Sequence, residues 1–123
     1  MKILIIDDSR SVAEVIDLML NDPTANIIWA CNGEEGISQL KSDQSIELIF
    51  LDWYMPVMDG ADFLKKLSEL PHEIPPIILM SIDNLEKIQS QIQHVNIAGK
   101  LSKPFNKRQL LALVNNFRSS SNK

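Results

Sequence analysis

Residues Lys2–Ile6 form a short unbroken run of β-branched residues and leucine that stops abruptly at Asp7. A strand covered on both faces reads this way, and such strands belong mostly to parallel sheets. Beyond it, Ser9 is placed to cap a helix whose apolar positions Val12, Val15, Ile16, Met19 and Leu20 recur at helical spacing, with Pro23 marking its end. The same alternation continues: strand Asn26–Ala30, helix Glu34–Lys41, strand Ile46–Leu51, helix Ala61–Leu70, strand Ile77–Met80, helix Leu85–Gln93, strand Ile97–Leu101 and helix Lys107–Phe117. Short connections between strictly alternating elements predict right-handed crossovers and helices on both sheet faces, because each strand needs both of its sides covered. The expected architecture is α/β: a doubly wound, five-stranded parallel sheet in the flavodoxin-like order 2-1-3-4-5, flanked by five helices.

Composition adjusts this picture only slightly. At 123 residues the chain has room for one domain. The domain is placed at residues 1–118, and 119–123, within the polar run RSSSNK, is read as a tail or the start of a linker. Apolar residues make up 45% and charged residues 23%, an ordinary globular balance. Twelve basic residues against sixteen acidic ones, scattered along the chain, leave no basic face for a phosphate backbone, so direct nucleic-acid binding is not expected. Cys31 is the sole cysteine, which excludes an internal disulfide and a multi-cysteine metal site; its apolar neighbours suggest a half-buried strand end. The opening MKILIIDD is too short for the apolar region of a secretory signal, and no later apolar run approaches the ~20 residues of a bilayer span. A cytoplasmic protein with no membrane contact is expected.

The chemistry sits where an open parallel sheet binds ligands, beyond the carboxyl ends of its strands. Asp7 and Asp8 follow the first strand, Asp52 the third and Ser81 the fourth, and the fifth runs into Lys103-Pro104. Three carboxylates in one crevice repel one another unless a cation lies among them. A hard, oxygen-seeking ion such as Mg²⁺ fits, since it takes few protein ligands and completes its shell with water and phosphate oxygens. A carboxylate can itself attack phosphorus when a metal and an ammonium spread the charge on the transferring oxygens. Asp52 as nucleophile, the metal on Asp8 and Lys103 as counter-ion meet that requirement, with the Ser81 hydroxyl close enough in this topology to donate to a phosphoryl oxygen.

These residues carry a resemblance. The sequence is similar to the receiver domains of bacterial two-component response regulators through Asp7-Asp8-Ser9, the run from Asp52 through Met55-Pro56 to Asp59-Gly60, Ser81, and Lys103-Pro104-Phe105, four motifs in order from Met1 to about Phe117. Asp7-Asp8-Ser9-Arg10 looks more like chemotaxis-type, stand-alone receivers than like those fused to DNA-binding domains. The resemblance implies Asp52 as phosphoacceptor and Asp8 as direct magnesium ligand, with Asp7 assisting through water and the backbone carbonyl of Tyr54 completing the protein ligands. It further implies Lys103 on the phosphoryl group, Ser81 as switch hydroxyl, and a cis Lys103–Pro104 peptide through which Pro104 aims the lysine. A histidine kinase or histidine phosphotransfer protein is then the phosphodonor. An output protein or second receiver binds the face formed by the helix at Leu85–Gln93, the last strand and the last helix. The chain supplies the groups for its own modification and is not an enzyme acting on other substrates.

The sequence departs from the family pattern in places. Lys100 stands where receivers commonly carry tyrosine or phenylalanine, and Ile82 replaces the usual small residue after the switch hydroxyl. Tyr54 and Asp83 occupy positions that tune the lifetime of the phosphoryl group in the family.

Structural readings compete at several positions. An acidic pair after a strand often only ends it and caps the next helix, but Asp52 and Lys103 in the same set favour chemistry for Asp7 and Asp8. Asp59-Gly60 reads as a turn and helix cap. Met55, Met58 and Met80 read as core filling, Trp53 as a partly exposed fluorescent reporter, and His72 and His94 as solvated surface residues. As alternatives to a phospho-switch, a receiver-fold binding module that signals without phosphate is marked by Lys100 and Ile82. A metal-dependent phosphatase or flavin carrier lacks its second acid after Asp52 and its glycine-rich phosphate loop after the first strand.

Overall fold

In the computed structural model, which describes residues 1–53, 60–71, 73–82 and 97–121, the five expected strands are β1 (Lys2–Ile6), β2 (Asn26–Ala30), β3 (Leu48–Asp52), β4 (Ile77–Ser81) and β5 (Ile97–Ser102). All pair in parallel in the order β2-β1-β3-β4-β5, the doubly wound order expected from the sequence. Four helices lie among the described residues: α1 (Arg10–Leu20), α2 (Gly33–Ser42), α3 (Gly60–Ser68) and α4 (Lys107–Ser121). The helix expected at Leu85–Gln93 lies outside the described residues, as do Met55, Met58, Asp59, His72 and His94. No described helix is long and apolar enough to cross a membrane.

Alternation of side chains across the pleat divides the interior into two layers. On one side Leu4, Ile6, Ile49, Leu51 and Leu79 pack with Leu40 of α2 and Phe63 and Leu67 of α3. On the other, Ile3, Ile5, Phe50, Ile78 and Met80 meet Ile16 and Leu20 of α1 and Leu110 and Val114 of α4. Every residue of β3 and β4 is buried, which explains why those segments show no polar alternation.

Local chemistry sets the helix ends. Ser9 takes the extended N-cap conformation of α1, but its side chain makes no capping hydrogen bond. Asn21 rather than Pro23 ends that helix: it adopts a left-handed conformation at φ 46° and donates its N–H to the Asp17 carbonyl. At α2, Asn32 Oδ1 accepts from the Glu35 N–H at 2.8 Å, and Glu35 Oε2 accepts from the Cys31 N–H at 2.9 Å, a variation on the reciprocal capping box. Hydrogen bonding to Glu35 pushes the Cys31 thiol up, away from the thiolate form. The half-buried position expected for Cys31 is observed.

Lys2 Nζ meets Asp43 Oδ2 at 2.6 Å, tying the start of β1 to the end of α2. Gly36 lets α2 approach the sheet, since a Cβ there would lie 2.5 Å from Ile6 Cδ1 and 3.3 Å from Phe63 Cε1. Two further expectations change. α4 runs to Ser121, past Phe117. Trp53 is 4% exposed rather than partly exposed, because the alternation through Leu51 carries it into the α2–α3 layer while its backbone N–H still bonds the Met80 carbonyl at 3.0 Å.

Candidate functional site at the carboxyl edge of the sheet

The ladder between β1 and β2 closes with the Asp7 N–H donating to the Ala30 carbonyl at 3.1 Å. From there the chain turns into α1, leaving Asp7 fully buried and Asp8 exposed beside it. A buried carboxylate must be compensated. Asp7 Oδ1 accepts the Ser9 N–H at 2.9 Å, and Asp7 Oδ2 accepts from Lys103 Nζ at 2.7 Å.

Asp52 ends β3, is 7% exposed, and sits in register with Met80, the residue before Ser81. Lys103 Nζ is 3.7 Å from Asp52 Oδ1, so the ammonium stands between two of the three acids. Ser81 is buried at the end of β4, and its carbonyl accepts the Lys103 N–H at 2.9 Å, fixing the backbone from which the lysine side chain starts. The Lys103–Pro104 peptide is cis.

Oxygens of Asp7, Asp8 and Asp52 all lie within 4.8 Å of one another. Charge alone makes this set unusual: three carboxylates face one ammonium. The donors are hard oxygens, and the exposure of Asp8 leaves one side open to water, which is the environment a magnesium ion prefers. The residues present therefore fit such an ion. The expected Tyr54 carbonyl lies outside the described residues, as does Asp83.

Around this centre, Ile82 is 75% exposed and Lys100 is exposed on β5 opposite Leu79. A groove of about 460 Å³ opens beside Lys103, lined chiefly by Val12, Val15, Ile82, Pro104 and Phe105. Neither this groove nor one further contact was anticipated from the sequence: Trp29 Nε1 donates to the backbone carbonyl of Asp7 at 2.8 Å, from the neighbouring strand. An aromatic residue just before the end of a strand was the available signal, but it reads equally well as core.

The sequence profile of the response regulator receiver domain matches residues 3–115. Among curated relatives, the transcriptional regulatory protein CpxR of Escherichia coli K12 is 34% identical over 92% of this chain and 47% of its own length. The chain thus spans about half the length of that relative. Two solved structures are similar throughout. The Francisella response regulator 1452 receiver domain has a TM-score of 0.80 at 26% identity, with 98% of each chain covered. The Vibrio cholerae chemotaxis protein CheY4 has a TM-score of 0.81 at 26% identity, covering 94% of this chain and 97% of the other.

Proposed function

This chain belongs to the response regulator receiver family, and from that premise we propose that it is a cytoplasmic phospho-switch whose Asp52 accepts a phosphoryl group from a phosphohistidine on a histidine kinase or phosphotransfer protein. The observation that carries the reading is the buried Asp52 carboxylate, with Lys103 Nζ at 3.7 Å and two further acids within 4.8 Å.

Asp8 and Asp52 would hold the magnesium ion, with Asp7 assisting through water; Tyr54, whose carbonyl the resemblance adds, lies outside the described residues. Bound there, the ion supplies charge neutralisation for the transferring phosphoryl oxygens. An Asp52 oxygen attacks phosphorus, the phosphorus–nitrogen bond of the donor breaks, and its electron pair leaves on the imidazole, which takes up a proton. Lys103 stands close enough to follow the phosphoryl oxygens, and doing so loosens its hold on Asp7. The Ser81 hydroxyl then donates to a phosphoryl oxygen, altering the face around β5 and α4 where an output protein or second receiver binds. Lys100 on that face supplies charge where an aromatic read-out is common in the family. The donor docks on the apolar groove beside Lys103. The chain acts only on itself, and neither nucleic acid nor membrane is contacted directly.

The test is intact mass after incubation with acetyl phosphate or a phosphorylated histidine donor and Mg²⁺, alongside Asp52→Asn. A gain of one phosphoryl group that needs Mg²⁺ and is lost in the variant is the expected result. No gain with either donor would overturn the reading in favour of a receiver-fold module that signals without phosphate.

A further inference from the structure

We infer that Trp29 is a positioning residue for the acidic site: its indole N–H and ring together clamp the four-residue turn Asp7–Arg10 that presents Asp8 to the metal. The inference rests on the magnesium reading above and extends it to a residue outside the acid cluster.

Trp29 lies on β2 in register with Ile5, on the α1 side of the sheet, where it is half-buried against the second core layer. Strand pairing ends one residue later, at Ile6 and Ala30. The Asp7 N–H is still bonded to the Ala30 carbonyl, but Asn32 has already become the cap of α2, so β2 offers the Asp7 carbonyl no backbone partner in continuation of the ladder. The indole takes that place, with Nε1 2.8 Å from the carbonyl oxygen.

That bond orients the peptide joining Asp7 to Asp8. Asp8 is exposed, so its carboxylate is aimed mainly by its backbone. The far end of the turn is held as well: the Ser9 N–H returns to Asp7 Oδ1, and the Arg10 guanidinium lies 6.0 Å from the centroid of the Trp29 ring, within cation–π range. One side chain therefore bonds the first residue of the turn and lies within cation–π range of the last. Partners that orient metal ligands in this way typically change metal affinity by about tenfold or more when lost.

Trp29→Phe keeps the ring and removes only the N–H. Calorimetric titration with Mg²⁺ should show affinity weakened about tenfold, alongside a modest fall in the unfolding midpoint of metal-free protein from the carbonyl left unpaired. A purely structural role would move the midpoint and leave the affinity alone, and affinity within about twofold of the parent overturns the inference. If the variant folds poorly, Trp53→Phe leaves Trp29 as the sole tryptophan. Mg²⁺ binding is then expected to change its emission, because the indole is bonded to the peptide that carries Asp8, and a silent titration in a chain that calorimetry shows to bind Mg²⁺ overturns the inference. Absence of magnesium binding by the parent would remove the magnesium reading and this inference with it. Binding by the parent with an unaffected variant removes only the inference.

Discussion

Lys103 reaches Asp7 at 2.7 Å but Asp52 at 3.7 Å, so in this structure the lysine is primarily the counter-charge of a buried acid and only secondarily poised over Asp52, the proposed phosphoacceptor. The Asp7 side chain is 1% exposed and that of Lys103 19%, so the pair is largely shielded from solvent screening.

Lys103→Met should therefore destabilise the metal-free protein. Breaking a fully buried pair costs about 3–5 kcal/mol; here the partial exposure of the lysine and the surviving Ser9 N–H bond reduce this to about 2 kcal/mol. With its competitor gone, the acid cluster should bind Mg²⁺ more tightly than in the parent. Denaturant unfolding with and without Mg²⁺ checks both, and a variant as stable as the parent without metal would contradict the role assigned to the pair.

Magnesium should raise the stability of the parent by about 2.7 kcal/mol at a free concentration one hundred times its dissociation constant. Asp8→Asn, which removes an exposed carboxylate from the cluster without touching the core, should abolish most of that gain while leaving metal-free stability nearly unchanged. Thermal melts in chelator and in magnesium give the comparison.

A pH dependence follows from Asp43, whose carboxyl is held down to about 2 by hydrogen bonds from Lys2 and Ser45. A carboxyl depressed by folding stabilises the native state above its ordinary value, near 3.8, and loses that contribution as pH falls toward 2. Acid titration of Asp43→Asn should therefore show a shallower loss of stability between pH 4 and 2 than the parent, most clearly at low salt, where a half-buried pair is least screened.

Gly36→Ala offers a helix about 1 kcal/mol of propensity, but its Cβ would press on fully buried Ile6 and Phe63. Overpacking a tight core costs about 1–3 kcal/mol, so a net destabilisation of about 1 kcal/mol is expected in urea titrations.

Val15→Asn places an amide on the wall of the apolar groove, at a position 41% exposed. Transfer from a phosphohistidine protein should slow by about tenfold, the size of a modest interface hot spot, while acetyl phosphate, which needs no docking surface, should react at the parental rate.

Much of this was legible in the sequence because its strands are buried on both faces and end sharply at polar residues. Asp7, Asp52 and Ser81 announce themselves by interrupting apolar runs. Pro23 marked the end of α1 from two residues beyond its cap, but the stop itself is made by Asn21, whose left-handed conformation no pattern displays. The reach of α4 to Ser121 was hidden by the polar composition of Arg118–Ser121. Trp53 was misjudged because its neighbour Asp52 suggested exposure, although two-residue alternation from Leu51 carries it inward. Trp29 escaped because a hydrogen bond to a backbone carbonyl leaves no trace in the identity of the residue that accepts it.

The ion pair between Lys103 and Asp7 joins residues 96 apart in the chain. Its two halves are joined through β5 on β4, β4 on β3 and β3 on β1, so the pair depends on every one of those strand pairings. A nascent or partly unfolded chain, even with β1 and β3 in place, holds its acids without their ammonium. The proposed phosphoacceptor site is therefore complete only when the sheet is complete, and a chain lacking β5 should fail to take up a phosphoryl group.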